Sequence, residues 1–250
     1  MTAIEDVTFP AHGSTALVTG ASRGLGAAIA RRLAADGFSV VVNYSSDGVG
    51  AAGVVDAIVA SGGRAHPYKA DVTSADDVER MVAEVGPVRV VVANATGPQP
   101  LIPAEETTWD DHLRQLEFFV KSPALLLRAA LPGMRQLGGG RIILIGSDSF
   151  ERALPLASAY NAAKGAQIGL ARTWARELGK DGVTVNVVAP GWIPVERHRD
   201  ADTSSYVAEV PLGRIGTPSD IADVVAFVAS DAARFVTGER ITVNGGHTID

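Results

Sequence analysis

The sequence predicts a single-domain, doubly wound α/β fold: one parallel β-sheet with helices on both faces. Three observations predict it. Strand and helix signals alternate along nearly all of the 250 residues. The strand segments are near-continuous apolar runs, as a sheet covered on both sides requires. A glycine-rich turn joins the first strand directly to the first helix, and no repeat, low-complexity tract or linker divides the chain.

Ala16 to Thr19 reads as a short buried strand, Gly20 to Gly26 as the glycine turn and Ala27 to Ala34 as an amphipathic helix. Phe38 to Asn43 is the second strand, and Val49 to Ala60 is a helix closed by Gly62 and Gly63. A strand ending at Asp71 precedes a helix from Ser74 to Val85, with Ser74 placed to cap and Asp76 and Asp77 in the first turn. Val88 to Ala93 is another apolar strand. Thr108 to Met134 is mostly helical, with a break expected near Pro123. Gly138 to Gly140 ends it, and Arg141 to Ser147 follows as a strand. Ser158 to Leu178 is a long helix; Val183 to Val188, Pro218 to Ala229 and Arg240 to Val243 complete the alternation.

Composition narrows the function classes. Hydrophobic residues make up 46% and charged residues 20%, ordinary values for a globular protein. No apolar run approaches the ~18 residues of a membrane span. Met1 to Asp6 is acidic and lacks the basic and apolar regions of a signal peptide, so the cytoplasm is expected. With no cysteine there is no disulfide framework, thiolate nucleophile or Cys-ligated metal. A net charge of −6 without a basic cluster argues against nucleic acid or an anionic membrane as partner. His12, His66, His112 and His247 share no ligand spacing, and the sequential pairs Glu105–Glu106 and Asp110–Asp111 diverge on a helix. No metal is expected.

The chemistry is concentrated at Tyr160 and Lys164, with Ser147 thirteen residues upstream of the tyrosine. Positions i and i+4 share a helix face, so both side chains would project into one site. A free phenol titrates near pH ~10, and a neighbouring ammonium favours the phenolate and brings that value toward neutrality. A serine hydroxyl beside them could hold a carbonyl oxygen while the tyrosine gives or takes its proton. That set suits carbonyl–alcohol interconversion.

The glycine turn adds a phosphate site. Gly20, Gly24 and Gly26, spaced G-x-x-x-G-x-G, follow a strand and open a helix, so backbone N–H groups and the helix dipole would face a pyrophosphate. In doubly wound sheets ligands bind beyond the C-terminal strand ends. Gly20, Asp71, Asn94, Ser147 and Pro190 all fall at or just after expected strand ends, which places them around one cleft.

From roughly Thr15 to Gly246 the chain resembles the short-chain dehydrogenase/reductase family, in the branch of the 3-oxoacyl-carrier-protein reductases. The segment Thr19 to Gly26 resembles the family's cofactor glycine motif, which assigns Gly20, Ser22, Arg23, Gly24, Leu25 and Gly26 to the cofactor. Asp71 and Val72 resemble the strand end at the adenine ring. Asn94, Ala95 and Thr96 resemble the Asn-Asn-Ala-Gly segment, here reading Ala93-Asn94-Ala95-Thr96. Ser147, Tyr160 and Lys164 fall at the family's catalytic serine, tyrosine and lysine. Pro190 and Gly191 match the turn beside the nicotinamide, and Val243 to Gly246 match the C-terminal end. The resemblance implies a Rossmann-type fold and a homo-oligomer, dimer or tetramer, packed through helices near 124–131 and 162–175 and through the last strand.

An NAD site usually carries an acid about 20 residues after the glycines. Here that strand end reads Asn43-Tyr44-Ser45-Ser46, with no carboxylate before Asp47, while Arg23 could pair with a 2′-phosphate. NADP(H) is therefore expected over NAD(H), with Tyr44, Ser45 and Ser46 near the 2′-phosphate.

The family's fourth catalytic residue, an asparagine that holds a water linking the lysine to solvent, has no counterpart: no asparagine occurs between Asn94 and Asn161. One register puts Phe119 there and another Leu116, with Gln115 and backbone carbonyls as substitutes. Proton supply by another route, or through a substrate group, is expected. A substrate-covering loop is expected at about 192–212. Its start carries Trp192 and the run Arg197, His198, Arg199, which is either a solvated face or a guide for an anionic substrate such as a carrier-linked acyl thioester. Pro194 and Val195 stand where many relatives hold the nicotinamide carboxamide with a threonine, leaving backbone contacts from Ile193 to serve. Asp148 and Ser149 are candidate pocket residues.

The expected function is hydride transfer between NADP(H) and a small carbonyl or alcohol substrate, a ketone or 3-oxoacyl compound. Two alternatives stay open: a non-catalytic NADP(H)-binding sensor or scaffold, and a redox-neutral epimerase or dehydratase.

Overall fold

Seven parallel strands form one sheet in the order β3-β2-β1-β4-β5-β6-β7 in a computed structural model that describes residues 14–196 and 202–249. The strands are β1 (Thr15–Val18), β2 (Ser39–Tyr44), β3 (Arg64–Lys69), β4 (Val90–Ala93), β5 (Gly140–Ile145), β6 (Val183–Pro190) and β7 (Arg240–Val243). Strand order reverses between β1 and β4, which pair directly, so a crevice opens beyond their C-terminal ends.

Alternation within the apolar runs builds two cores. Ala16 and Val18, Val40 and Val42, Val90 and Val92, and Ile143 and Ile145 point to one face. There they meet α1 (Gly24–Ala35), α2 (Gly48–Ala60) and α8 (Pro218–Ala229) through Ile29, Leu33, Val54, Ile58, Ile221 and Val225. Leu17, Val41, Val91, Ile142 and Leu144 point to the other face. Their cover is α3 (Ala75–Val85), α5 (Ser122–Gln136) and α6 (Ser158–Leu178), through Met81, Leu126, Met134 and Ala171. Continuous apolar strands are thus what a two-sided sheet requires.

Several expected boundaries move. The first helix begins at Gly24, inside the glycine turn, so Leu25 and Gly26 are helical. β3 ends at Lys69, two residues before Asp71; it is a largely exposed edge strand, where Pro67 costs no ladder bond that a central strand would need. Ser74 caps α3 as expected, accepting from the Asp77 N–H.

The expected break near Pro123 is a change of helical pitch. After α4 (Trp109–Leu116), residues Glu117–Lys121 form a π-helical turn that runs directly into α5. Proline at the second position of α5 has no N–H to donate, and its ring would crowd the carbonyl four residues back; one wide turn relieves both. That turn carries Phe119 inward. A short helix, α7 (Ser204–Glu209), lies within the expected substrate-covering loop. Among the described residues no helix is long and apolar enough to cross a membrane.

Candidate active site at the strand ends

The crevice is a cleft of about 1300 Å³. Its lining includes Gly20 through Gly26 except Ala21, Tyr44 through Ser46, Asp71 and Val72, Asn94 through Thr96, Ser147, Tyr160, Lys164, Pro190, Gly191 and Ile193. Every residue assigned from the sequence to catalysis or cofactor lies on this one surface, and so do Asp148 and Ser149. Arg197, His198, Arg199 and His12 lie outside the described residues.

The glycine turn is built for close backbone approach. Gly20 and Gly24 have φ of +60° and +57°. A Cβ on Gly26 would stand 2.3 Å from the Gly20 carbonyl oxygen and 2.7 Å from Asn94 Nδ2. Asn94 is a brace: its Nδ2 donates to the Thr19 and Gly20 carbonyls at 2.9 and 3.2 Å, while Thr19 Oγ1 accepts from the Asn94 and Ala95 N–H groups. Buried Asn43 does the same from β2, accepting from Gly20 N–H at 3.3 Å and donating to the carbonyls of Tyr68 and Ala70. Sequence reasoning read Asn43 only as a strand residue; nothing local signals a partner 23 positions away.

The N-terminus of α1 attracts an anion. The Arg23 side chain makes no capping bond to it, and the Glu196 carboxylate, from the loop after β6, accepts from Gly24 N–H at 3.4 Å. The donor set, the missing Cβ atoms and this stand-in carboxylate all fit a phosphate-bearing ligand. At the end of β2, Asp47 is already engaged: it caps α2 by accepting from Gly50 N–H at 2.9 Å. The first carboxylate after β2 therefore holds a helix.

Tyr160 and Lys164 lie one turn apart near the start of α6, as their spacing predicts. Ser147 stands two residues past β5, its Oγ accepting from Ser149 N–H at 3.1 Å. Lys164 is 4% exposed. Its Nζ donates to the Ile145 carbonyl at 2.7 Å and to Gln167 Oε1 at 3.3 Å. Burial pushes its pKa well below the ordinary lysine value, because a charged ammonium loses hydration there. Phe119 stands against both Lys164 and Tyr160. Only 3% exposed, it lies 3.6 Å from Lys164 Nζ at its ring centroid and meets the Tyr160 ring edge-on at 5.4 Å. Gln115 is buried but turns away, donating to the Pro98 carbonyl at 2.9 Å.

α7 lines part of the cleft through Ser205, Tyr206 and Glu209. Tyr206 Oη accepts from Trp192 N–H at 2.9 Å, and its ring packs on Trp192 and His247. His247 reaches Glu209 at 3.0 Å and stands 3.5 Å from Asp148, beside Ser147. A phenol, a hydroxyl and a buried lysine thus share one cleft with the glycine turn. That arrangement can polarise a carbonyl and protonate it next to a bound dinucleotide.

Residues 20–248 match the family model described as enoyl-(acyl carrier protein) reductase. An uncharacterized oxidoreductase of Methylorubrum extorquens is 43% identical over 246 residues, covering 94% of this chain and 98% of that protein. The 3-oxoacyl-[acyl-carrier-protein] reductase FabG of Escherichia coli is 40% identical over 241 residues, covering 94% and 97%. The crystal structure of a 3-oxoacyl (acyl-carrier-protein) reductase from Agrobacterium tumefaciens with NADP bound is similar at a TM-score of 0.88 and 35% identity, covering 97% of each chain.

Proposed function

The chain belongs to the short-chain dehydrogenase/reductase family, and on that premise we propose that it is an NADP(H)-dependent reductase of ketones or 3-oxoacyl thioesters. The observation that carries this reading is the single cleft shared by Ser147, Tyr160, Lys164 and the glycine turn. Tyr160 gives its phenolic proton to the carbonyl oxygen, Ser147 holds that oxygen, and Lys164 favours the phenolate left behind. The glycine turn and the α1 N-terminus hold the pyrophosphate, with Asp71 and Val72 at the adenine and Pro190, Gly191 and Ile193 at the nicotinamide. Bound NADPH supplies the hydride. The 3-oxoacyl substrate class and the cofactor are carried over from the relatives named above. NADPH consumption over a panel of ketones and 3-oxoacyl thioesters tests the reading. A homo-oligomer packed through α5, α6 and β7 belongs to it as well, and sedimentation equilibrium tests that part.

The cofactor choice rests on Arg23, Tyr44, Ser45 and Ser46, with Asp47 held by α2. Tyr44→Asp should lower the NADPH-to-NADH preference about tenfold or more, since it sets a carboxylate against the 2′-phosphate and offers one to a ribose hydroxyl. An unchanged ratio of the two Kd values would remove Tyr44 from that position.

Glu196 occupies a Gly24 N–H that the pyrophosphate would use. Binding must displace a carboxylate and then leave it near a like charge. Glu196→Gln should tighten NADPH binding about two- to fivefold, read as a lower Kd by fluorescence titration. Equal or weaker binding would mean that Glu196 does not compete for the site.

A further inference from the structure

The geometry points to Phe119 as a positioning residue: its ring face takes the place of water at Lys164 and keeps that ammonium charged beside Tyr160. The inference rests on the function proposed above and concerns how this chain meets a need that a polar side chain would ordinarily meet.

An ammonium has three N–H donors and no acceptor. Lys164 directs donors to the Ile145 carbonyl on β5 and to Gln167 one turn along α6, and its remaining side faces the Phe119 ring. Tyr160, on its own helix, is a titratable side chain beside it, 5.4 Å from Nζ to ring centroid. Burial works against the charge, and burial is what sets the lowered pKa. A neutral lysine would do little for the tyrosine. The negative face of an aromatic ring attracts a cation, and the attraction is largest where water is excluded. Phe119 is where it is because the π-helical turn Glu117–Lys121 carries it inward, and its edge-on contact with Tyr160 fixes the ring relative to both partners.

Two consequences follow. Lys164 acts on Tyr160 through its charge, with neither of its polar bonds leading to solvent. When the phenolic O–H bond breaks and its proton passes to the carbonyl oxygen, with the carbon reduced by the hydride that bound NADPH would supply, Tyr160 would regain its proton from water in the open cleft.

The test titrates Tyr160 directly by tyrosinate absorbance. Each protein is compared with its own Tyr160→Phe partner, so that the difference isolates one of the four tyrosines of the natural chain. Phe119→Leu and Phe119→Met keep an apolar side chain without a ring face; Phe119→Tyr keeps the face. Thermal melting checks that all are folded. Loss of the ring lets Lys164 lose its proton sooner, so Tyr160 should ionise about one pH unit higher in the leucine and methionine variants. The tyrosine variant should stay near wild type. A residue that only packs would change melting temperature and leave that titration in place. Identical titration of Tyr160 in wild type and Phe119→Leu would overturn the inference even in an active reductase. A shifted titration in a protein that reduces no ketone would uphold the Lys164–Phe119 coupling and overturn the proposed function instead.

Discussion

Tyr160→Phe is expected to lower NADPH-dependent ketone reduction by about 10²–10⁴-fold while NADPH binds as before. The substitution removes one oxygen and keeps the ring, so the edge-on packing against Phe119 and the course of α6 persist. What would disappear, on the proposed mechanism, is the proton that the developing alkoxide must receive. Ser147 and Lys164 remain, yet neither replaces the phenol: Ser147 Oγ accepts from Ser149 N–H, and the Lys164 donors are directed to the Ile145 carbonyl and Gln167. The loss should appear in kcat, because the interaction is made with the reacting oxygen in the transition state. Measuring kcat and the NADPH Kd on the same preparations checks both halves. A variant retaining more than about a tenth of wild-type kcat would move the proton donor elsewhere.

The second large effect is expected at Gly26. Alanine there would push a Cβ to 2.3 Å from the Gly20 carbonyl, 2.7 Å from Asn94 Nδ2 and 2.9 Å from Ala21 Cα. Two of these neighbours are backbone and the third is the amide that braces the turn, so none yields cheaply. Relief requires the turn to open, breaking the bonds from Asn94 to Thr19 and Gly20 and moving the N–H groups that would face phosphate. Overpacking of this kind costs about 1–3 kcal/mol. Expressed in binding, that is a loss of NADPH affinity of about 5- to 150-fold, accompanied by a lower melting temperature. Gly53→Ala is the control. A Cβ at Gly53 meets nothing within 4 Å, and the residue lies inside α2, so alanine there should stabilise the helix by about 1 kcal/mol and leave binding unchanged. Equal NADPH affinity in the Gly26 and Gly53 variants would contradict the close-approach account of the turn.

What could be read from the sequence follows the range of each interaction. The central strands were legible because Val40 to Val42 and Ile142 to Ile145 are apolar on both faces, a pattern that needs no knowledge of partners. The Tyr160–Lys164 pair was legible because helical spacing alone brings it together. β3 was placed two residues long at its end because an exposed edge strand carries no burial pattern to mark where it stops. Pro123 signalled a disturbance, but proline cannot say whether a helix ends or takes one wide turn, and only the latter brings Phe119 against Lys164. Asn43, Glu196 and Tyr206 act on partners 23, 172 and 14 positions away, and no local pattern announces them. α7 is six residues of mixed character, too short for periodicity to show.

The central claim is that this cleft moves hydride from NADPH to a carbonyl carbon with Tyr160 supplying the proton. The most direct measurement uses NADPH deuterated at its transferable position, a ketone or 3-oxoacyl thioester substrate, and mass spectrometry of the alcohol. The account predicts one deuterium on the carbinol carbon for each NADPH consumed, and about a hundredfold less labelled alcohol, or lower still, over the same time with Tyr160→Phe. Saturable NADPH binding with no labelled alcohol from any substrate of the panel would contradict it and make the chain a cofactor-binding protein.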